Sequence, residues 1–237
     1  MPPRPPSTRA RFLRSIINLL PYELAGFIRR FRRRKFLIPN PNEYFRDLLP
    51  PGSPQQRELE QEARVEFVPI IGPMMGKMLM ILVQTMQAKN VLELGTATGY
   101  SGLFLAEGCS KTGGKLVTLE IDPKMAERAM ANFRTAGLDQ YVEIRLGDAL
   151  QELKKLEGPF DLVFMDIEKD DYFRALADCQ RLLRPGGLLV VDNVSFKEAD
   201  NFNRAVADSP EWTTVNLYSF LPFHSPEQDG ICLALRN

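Results

Sequence analysis

A chain of 237 residues, 44% hydrophobic and 25% charged, is long enough to bury both faces of one sheet and too short for two full domains. Its formal charge of zero averages two unlike parts: ten of the 30 basic residues lie in the first 35 positions beside a single acid, Glu23, leaving 20 basic against 29 acidic residues in the rest. So acidic a body excludes nucleic acid as the expected partner, and three dispersed cysteines (Cys109, Cys179, Cys232) exclude a disulfide framework or C-x-x-C metal site and point to a reducing, cytoplasmic compartment.

Residues 1–54 read as a basic arm with proline-rich linkers. After the leader Met1–Ser7, Phe12, Leu13, Ile16, Ile17 and Leu20 recur at helical spacing. Pro21 opens a second such pattern, with Leu24, Phe27, Ile28 and Phe31, which closes on a run of arginines ending at Lys35. An Arg-rich, acid-poor amphipathic arm suits an anionic membrane surface or a targeting segment, and equally suits packing on its own acidic body or on a second subunit. Both readings stay open, and no apolar run approaches the roughly 18 residues that span a bilayer. Breaks at Pro39-Asn40-Pro41 and at Leu49-Pro50-Pro51-Gly52-Ser53-Pro54 frame the junction with a body over 55–237.

The body opens with a charged helix, Gln55 to Phe67, and an apolar one, Met74 to Met86, whose methionines read as core packing. From Asn90 strands and helices alternate. The strands are Val91–Leu94, Lys115–Ile121, Val142–Leu146, Asp161–Met165 and Leu188–Val191, and the helices Ser101–Glu107, Pro123–Ala136, Ala149–Leu156 and Tyr172–Leu183. Two last strands, Thr213–Ser219 and Ile231–Leu235, read as an antiparallel pair. This alternation predicts an α/β fold, a mostly parallel sheet of seven strands with helices on both faces and ligands at the carboxyl ends of the strands.

The residues that carry chemistry fall at those ends. In Val91-Leu-Glu93-Leu-Gly95-Thr96-Ala-Thr-Gly99-Tyr-Ser101 a strand passes through a glycine-punctuated turn into a helix, the build of a nucleotide-binding loop. It lacks the lysine of a P-loop and the third glycine of G-x-G-x-x-G, which suits a ligand that is itself cationic. Glu120 ends the second strand, where an acid accepts the hydroxyls of a ribose. Asp148, after the third strand, either bonds an adenine edge or caps the next helix. The apolar strand Phe160–Met165 delivers Asp166, with Lys169 three residues on, and Leu188–Val191 delivers Asp192 and Asn193. Two carboxylates and an amide oxygen on neighbouring tips form an open, hard-ligand site for Mg²⁺ or another divalent cation.

Taken together, the glycine loop, Glu120, Asp166-x-x-Lys169, Arg184-Pro-Gly-Gly187, Asp192-Asn193, Leu221-Pro222 and Asp229-Gly230 resemble the cation-dependent class I S-adenosylmethionine O-methyltransferases of the catechol and caffeoyl-CoA type, over roughly residues 71–237. The resemblance implies a Rossmann-like sheet with an antiparallel C-terminal strand and methyl transfer to a vicinal diphenol. It implies Asp166, Asp192 and Asn193 as metal ligands, Lys169 as catalytic base, and an S-adenosylmethionine site lined by Ile71, Glu93, Gly95, Thr96, Ser101, Glu120 and Ala149, with Glu168 close by. Expected partners are a small phenolic substrate and a second copy of the chain in a homodimer. Two positions depart from the family: Ile167 is bulky on the adenine side, and Pro222 stands where catechol-type enzymes have an acid. His224, in that same loop, reads as a solvated side chain, with a second base or a substrate contact as the alternative. The rival readings are a cation-independent methyltransferase acting on nitrogen or RNA, and a membrane-docking protein with an idle body of this fold.

Overall fold

The computed structural model describes residue 38 and residues 40–237. The two expected arm helices, and the readings that rest on them, lie outside the described residues. The chain divides into two units, residues 1–48 and residues 49–237. In the first, helix α1 (Pro41–Asp47) starts with proline in its first turn and carries an edge-to-face Tyr44–Phe45 pair. Pro41, expected as a break, is therefore a helix start, because its missing N–H costs nothing there.

The second unit runs α2 (Pro54–Glu66), α3 (Gly72–Thr85), β1 (Asn90–Leu94), α4 (Tyr100–Thr112), β2 (Lys115–Glu120), α5 (Pro123–Thr135), β3 (Val142–Leu146), α6 (Ala149–Lys155), β4 (Phe160–Met165), α7 (Tyr172–Leu182), β5 (Leu183–Val191), α8 (Asp200–Asp208), β6 (Trp212–Phe220) and β7 (Gln228–Arg236). Local chemistry sets several of these boundaries. Ser53 and Gln56 close a reciprocal capping box on α2. The Asp122 side chain accepts from Lys124 N at 2.7 Å to start α5.

The strands lie in one sheet in the order β3-β2-β1-β4-β5-β7-β6. β1 to β5 pair in parallel, and β7 runs antiparallel to both β5 and β6. The order reverses at β1, which pairs with β2 on one side and β4 on the other, so a crevice opens at the carboxyl ends of β1 and β4. Both faces are covered, as the apolar run Leu162–Met165 of β4 requires. Val163 and Met165 pack with Leu153 of α6, Cys179 of α7 and Phe202 of α8. Leu162 and Phe164 pack with Leu79 and Val83 of α3, Phe104 of α4 and Phe133 of α5.

Two elements differ from expectation. β5 starts at Leu183, because Phe160 of β4 pairs with Leu183 across a bulge before Leu162 pairs with Leu188. α8 was not foreseen: its buried stripe is only Phe202 and Val206, too thin a pattern to stand out. The three cysteines are free and buried, and burial pushes each thiol up to about 12. No helix among the described residues is long and apolar enough to cross a membrane.

Candidate functional site

Two cavities open at the carboxyl ends of the strands. The first, about 380 Å³, is lined by the loop after β1 (Gly95, Thr96, Ala97, Thr98), Ser101 of α4, the tips of β2 and β3, the start of α6, the segment after β4 and Ile70–Ile71. Its loop is shaped by backbone constraints. Gly95 has φ +97°, and a Cβ there would collide with the carbonyl oxygen of Asp166, so only glycine lets the β1 loop lie against the β4 tip. Ala97 N donates to Glu120 Oε2 at 2.7 Å and Asp122 N to Glu120 Oε1 at 2.8 Å, so this nearly buried carboxylate ties the loop to the β2 tip.

Ile71, Gly95, Thr96, Ser101, Glu120, Asp148, Ala149 and Glu168 all line this cavity, as does the bulky Ile167. Asp148 also caps α6, accepting from Gln151 N at 3.0 Å. Glu93 stands apart. It is fully buried behind the loop and is absent from the lining, tied in through Thr118, whose hydroxyl donates to Glu93 Oε2 at 2.6 Å and meets Thr96 Oγ1 at 2.5 Å. Burial pushes the Glu93 carboxyl up to about 7 against the opposing pull of Ser101 and Thr118. The lining holds five carboxylates (Glu120, Asp148, Asp166, Glu168, Asp171) and one cation, Lys169. That balance favours a cationic ligand, and the volume is that of a small-molecule site.

The second cavity, about 440 Å³, shares Pro69, Ile70, Asp166, Glu168 and Lys169 with the first and adds Asp170, Asp192, Asn193, Phe196, Glu198 and Ser225. Asp166, Lys169, Asp192 and Asn193, expected together from two strand tips, therefore do face one space. Lys169 Nζ is 3.6 Å from Asp166 Oδ1 and lies over the Phe196 ring. Burial, and then the nearby Asp192 charge, raise the Asp166 carboxyl above its ordinary range. Asn193 adopts φ +51°, a left-handed conformation that asparagine tolerates. Its Nδ2 donates at 2.7 Å to the fully buried Asp229, which also accepts from Ser195 Oγ and from Gly230 N at 2.6 Å. With its donor end held there, the amide is left its oxygen as the free donor atom for a cation. No group of three or more His, Cys, Asp or Glu arranged to hold a metal occurs among the described residues; this donor set is two carboxylates completed by an amide.

His224 corrects the sequence expectation of a solvated loop side chain. It is 4% exposed, with Nε2 2.8 Å from Asp192 Oδ2 and Nδ1 2.6 Å from the Pro226 carbonyl oxygen. Burial alone would lower its pKa; the hydrogen bond and charge of Asp192 outweigh that and raise it. Pro222 lines neither cavity; its carbonyl packs against Gly72. Asp229 was noted only as part of an Asp-Gly pair, and its bond to Asn193, 36 positions away, has no local signal in the sequence.

A family model described as O-methyltransferase matches residues 56–211. A catechol O-methyltransferase of Niastella koreensis is 46% identical over 128 residues, 52% of this chain and 58% of that protein, so the chain spans little more than half the length of this relative. An O-methyltransferase from Bacillus cereus, solved in complex with SAH, superposes with a TM-score of 0.75 at 31% identity, covering 83% of this chain and 96% of that one. The O-methyltransferase TomG from Streptomyces achromogenes, solved with SAM, does so with 0.75 at 30% identity, covering 83% and 95%.

Proposed function

Because the chain belongs to the O-methyltransferase family, we propose that its body, residues 55–237, moves a methyl group from S-adenosylmethionine to a hydroxyl of a vicinal diphenol, a catechol- or caffeoyl-like small molecule, with the help of a divalent cation such as Mg²⁺. The observation that carries this reading is the wall common to the two cavities: Asp166, Glu168 and Lys169 face both, so a donor in the first and an acceptor in the second meet there. The name of the Niastella relative supports the acceptor class, and the bound SAM and SAH of the two solved relatives support the donor.

The residues fit both groups. In the first cavity Glu120 suits a ribose, and the carboxylate lining suits a sulfonium. In the second, the mutual charge of Asp166 and Asp192 and the oriented Asn193 amide form a hard-oxygen donor set for a divalent cation. Bound in place, the donor supplies a methyl on positive sulfur, and the cation lowers the pKa of a phenol that is otherwise protonated near neutral pH. Lys169, whose amine faces both cavities, would be the group that takes the acceptor's proton at Nζ. The acceptor oxygen would then attack the donor's methyl in line with the departing sulfur, with Pro69 and Ile70, which line both cavities, beside the two reactants.

A panel of catechols, caffeoyl esters and flavonoids with labelled S-adenosylmethionine, run with Mg²⁺ and with EDTA, tests this reading. Transfer to vicinal diphenols that stops in EDTA is expected; full activity in EDTA sinks the cation, and activity on nitrogen acceptors sinks the substrate class.

A further inference from the structure

The sheet ends in two unlike edges. β3, at one end of the strand order, is five residues long and carries a charged pair, Arg145 Nε donating to Glu143 Oε1 at 2.8 Å. Short length and charge keep an edge from pairing with a further strand. β6, at the other end, has neither protection. It is nine residues long, from Trp212 to Phe220, and holds no charge, proline or glycine. Its register on β7 advances one residue at a time from Trp212–Arg236 to Phe220–Gln228, so no bulge bends the edge away. Among the described residues no strand pairs with its outer side. Val215, Leu217 and Tyr218 are 47%, 43% and 67% exposed, and Leu235 of β7, also exposed, shares the face of Val215 and Leu217.

The order of side chains along β6 selects the partner. Counted outward from Asn216, Val215 mirrors Leu217, Thr214 mirrors Tyr218, Thr213 mirrors Ser219 and Trp212 mirrors Phe220. Two antiparallel strands related by a two-fold axis at Asn216 set each residue opposite its mirror mate: aliphatic on aliphatic, hydroxyl on hydroxyl, aromatic on aromatic. Asn216 then meets its own copy, and an amide, both donor and acceptor, can bond to another amide. A charge at the axis would face itself, and β6 has no charge at any position. A foreign peptide could add to this edge through backbone bonds alone, which would call for no mirror order. Pairing with a second copy calls for one.

We propose that two copies of this chain associate about a two-fold axis at Asn216, their β6 strands pairing antiparallel so that the two sheets become one. Val215, Leu217 and Leu235 of each copy then form one apolar strip across the junction. This gives the homodimer expected from the sequence a surface, and it does not depend on the reading of the methyl acceptor.

The full chain should sediment as a dimer at micromolar concentration, and a monomer overturns the proposal. Asn216 is exposed, so replacing it leaves the core untouched. Asn216→Lys sets two ammonium groups against each other at the axis and should raise the dimer dissociation constant by about tenfold or more. Asn216→Glu should do the same, and an equimolar mixture of the two variants should recover the dimer, because Lys then faces Glu. A dimer that Asn216→Lys leaves equally tight lies on another surface and overturns the proposal, as does a mixture no tighter than its components. Cross-linking tests the register without any charge. Directly opposed residues of an antiparallel pair stand about 4.5–5.5 Å apart at Cα, within disulfide reach, and the three native cysteines are buried. Under mild oxidation Asn216→Cys should give a linked dimer and Glu143→Cys, on the opposite edge, should not; equal rates for the two overturn the proposal.

Discussion

The two cavities are built by different means. The first is shaped by backbone: a left-handed Gly95 pressed to the Asp166 carbonyl, an Ala97 N–H held by Glu120 and a helix start capped by Asp148. The second is shaped by side-chain pairs that cross the fold, Asp192 with His224 and Asn193 with Asp229. A backbone-built site is rigid and general, suiting a ligand of constant form. A site of paired side chains is retuned by single substitutions.

Breaking the shared wall should have the largest effect. Lys169→Ala is expected to lower turnover by about 10²–10⁴-fold while leaving S-adenosylmethionine affinity nearly unchanged, as read by kinetics and calorimetry on the same variant. A wild-type rate would remove the lysine from the chemistry. Breaking the backbone half comes next. Gly95→Ala forces a Cβ into the Asp166 carbonyl at a φ that alanine disfavours, and should cost about 3 kcal/mol or more in chemical denaturation while weakening cofactor binding. Loss of stability with cofactor binding intact would mean that the loop and the β4 tip are not coupled.

The smallest effect concerns Glu93, beneath the first cavity. Its folded pKa of about 7 lies above the ordinary 4.5, so the folded state holds this proton more tightly than the unfolded chain does. Its contribution to stability is complete below about pH 4.5 and is lost as pH rises through about 7. Glu93→Gln should flatten that slope in denaturation curves measured between these limits; an unchanged slope would assign the dependence to other groups.

Most of the first cavity was legible in the sequence, because its parts sit within a few residues of a strand end: the glycines, the acid ending β2 and the cap of α6 are local patterns. The same holds for Asp166, Lys169, Asp192 and Asn193, each at or just past an apolar strand. Glu93 shows the limit of such patterns. It belongs to the loop motif, yet its carboxyl is fully buried behind the cavity wall and does not line the cavity. The partners of the second cavity were not legible. His224 and Asp192 are 32 positions apart, and only the β6–β7 hairpin and its docking on Ile70 bring them together. A lone histidine beside prolines in a loop carries no sign of burial.

The place of β7 in the sheet bears on the order in which the molecule can assemble during synthesis. β7 is wedged between β5 and β6, and the loop before it supplies His224 while its own second residue supplies Asp229. Every residue lining the first cavity has been made by residue 171, whereas the second needs the chain through residue 229. A chain leaving the ribosome thus acquires the parts of the first cavity some 58 residues before it can fix Asn193, and the second cavity cannot be completed until β7 has begun.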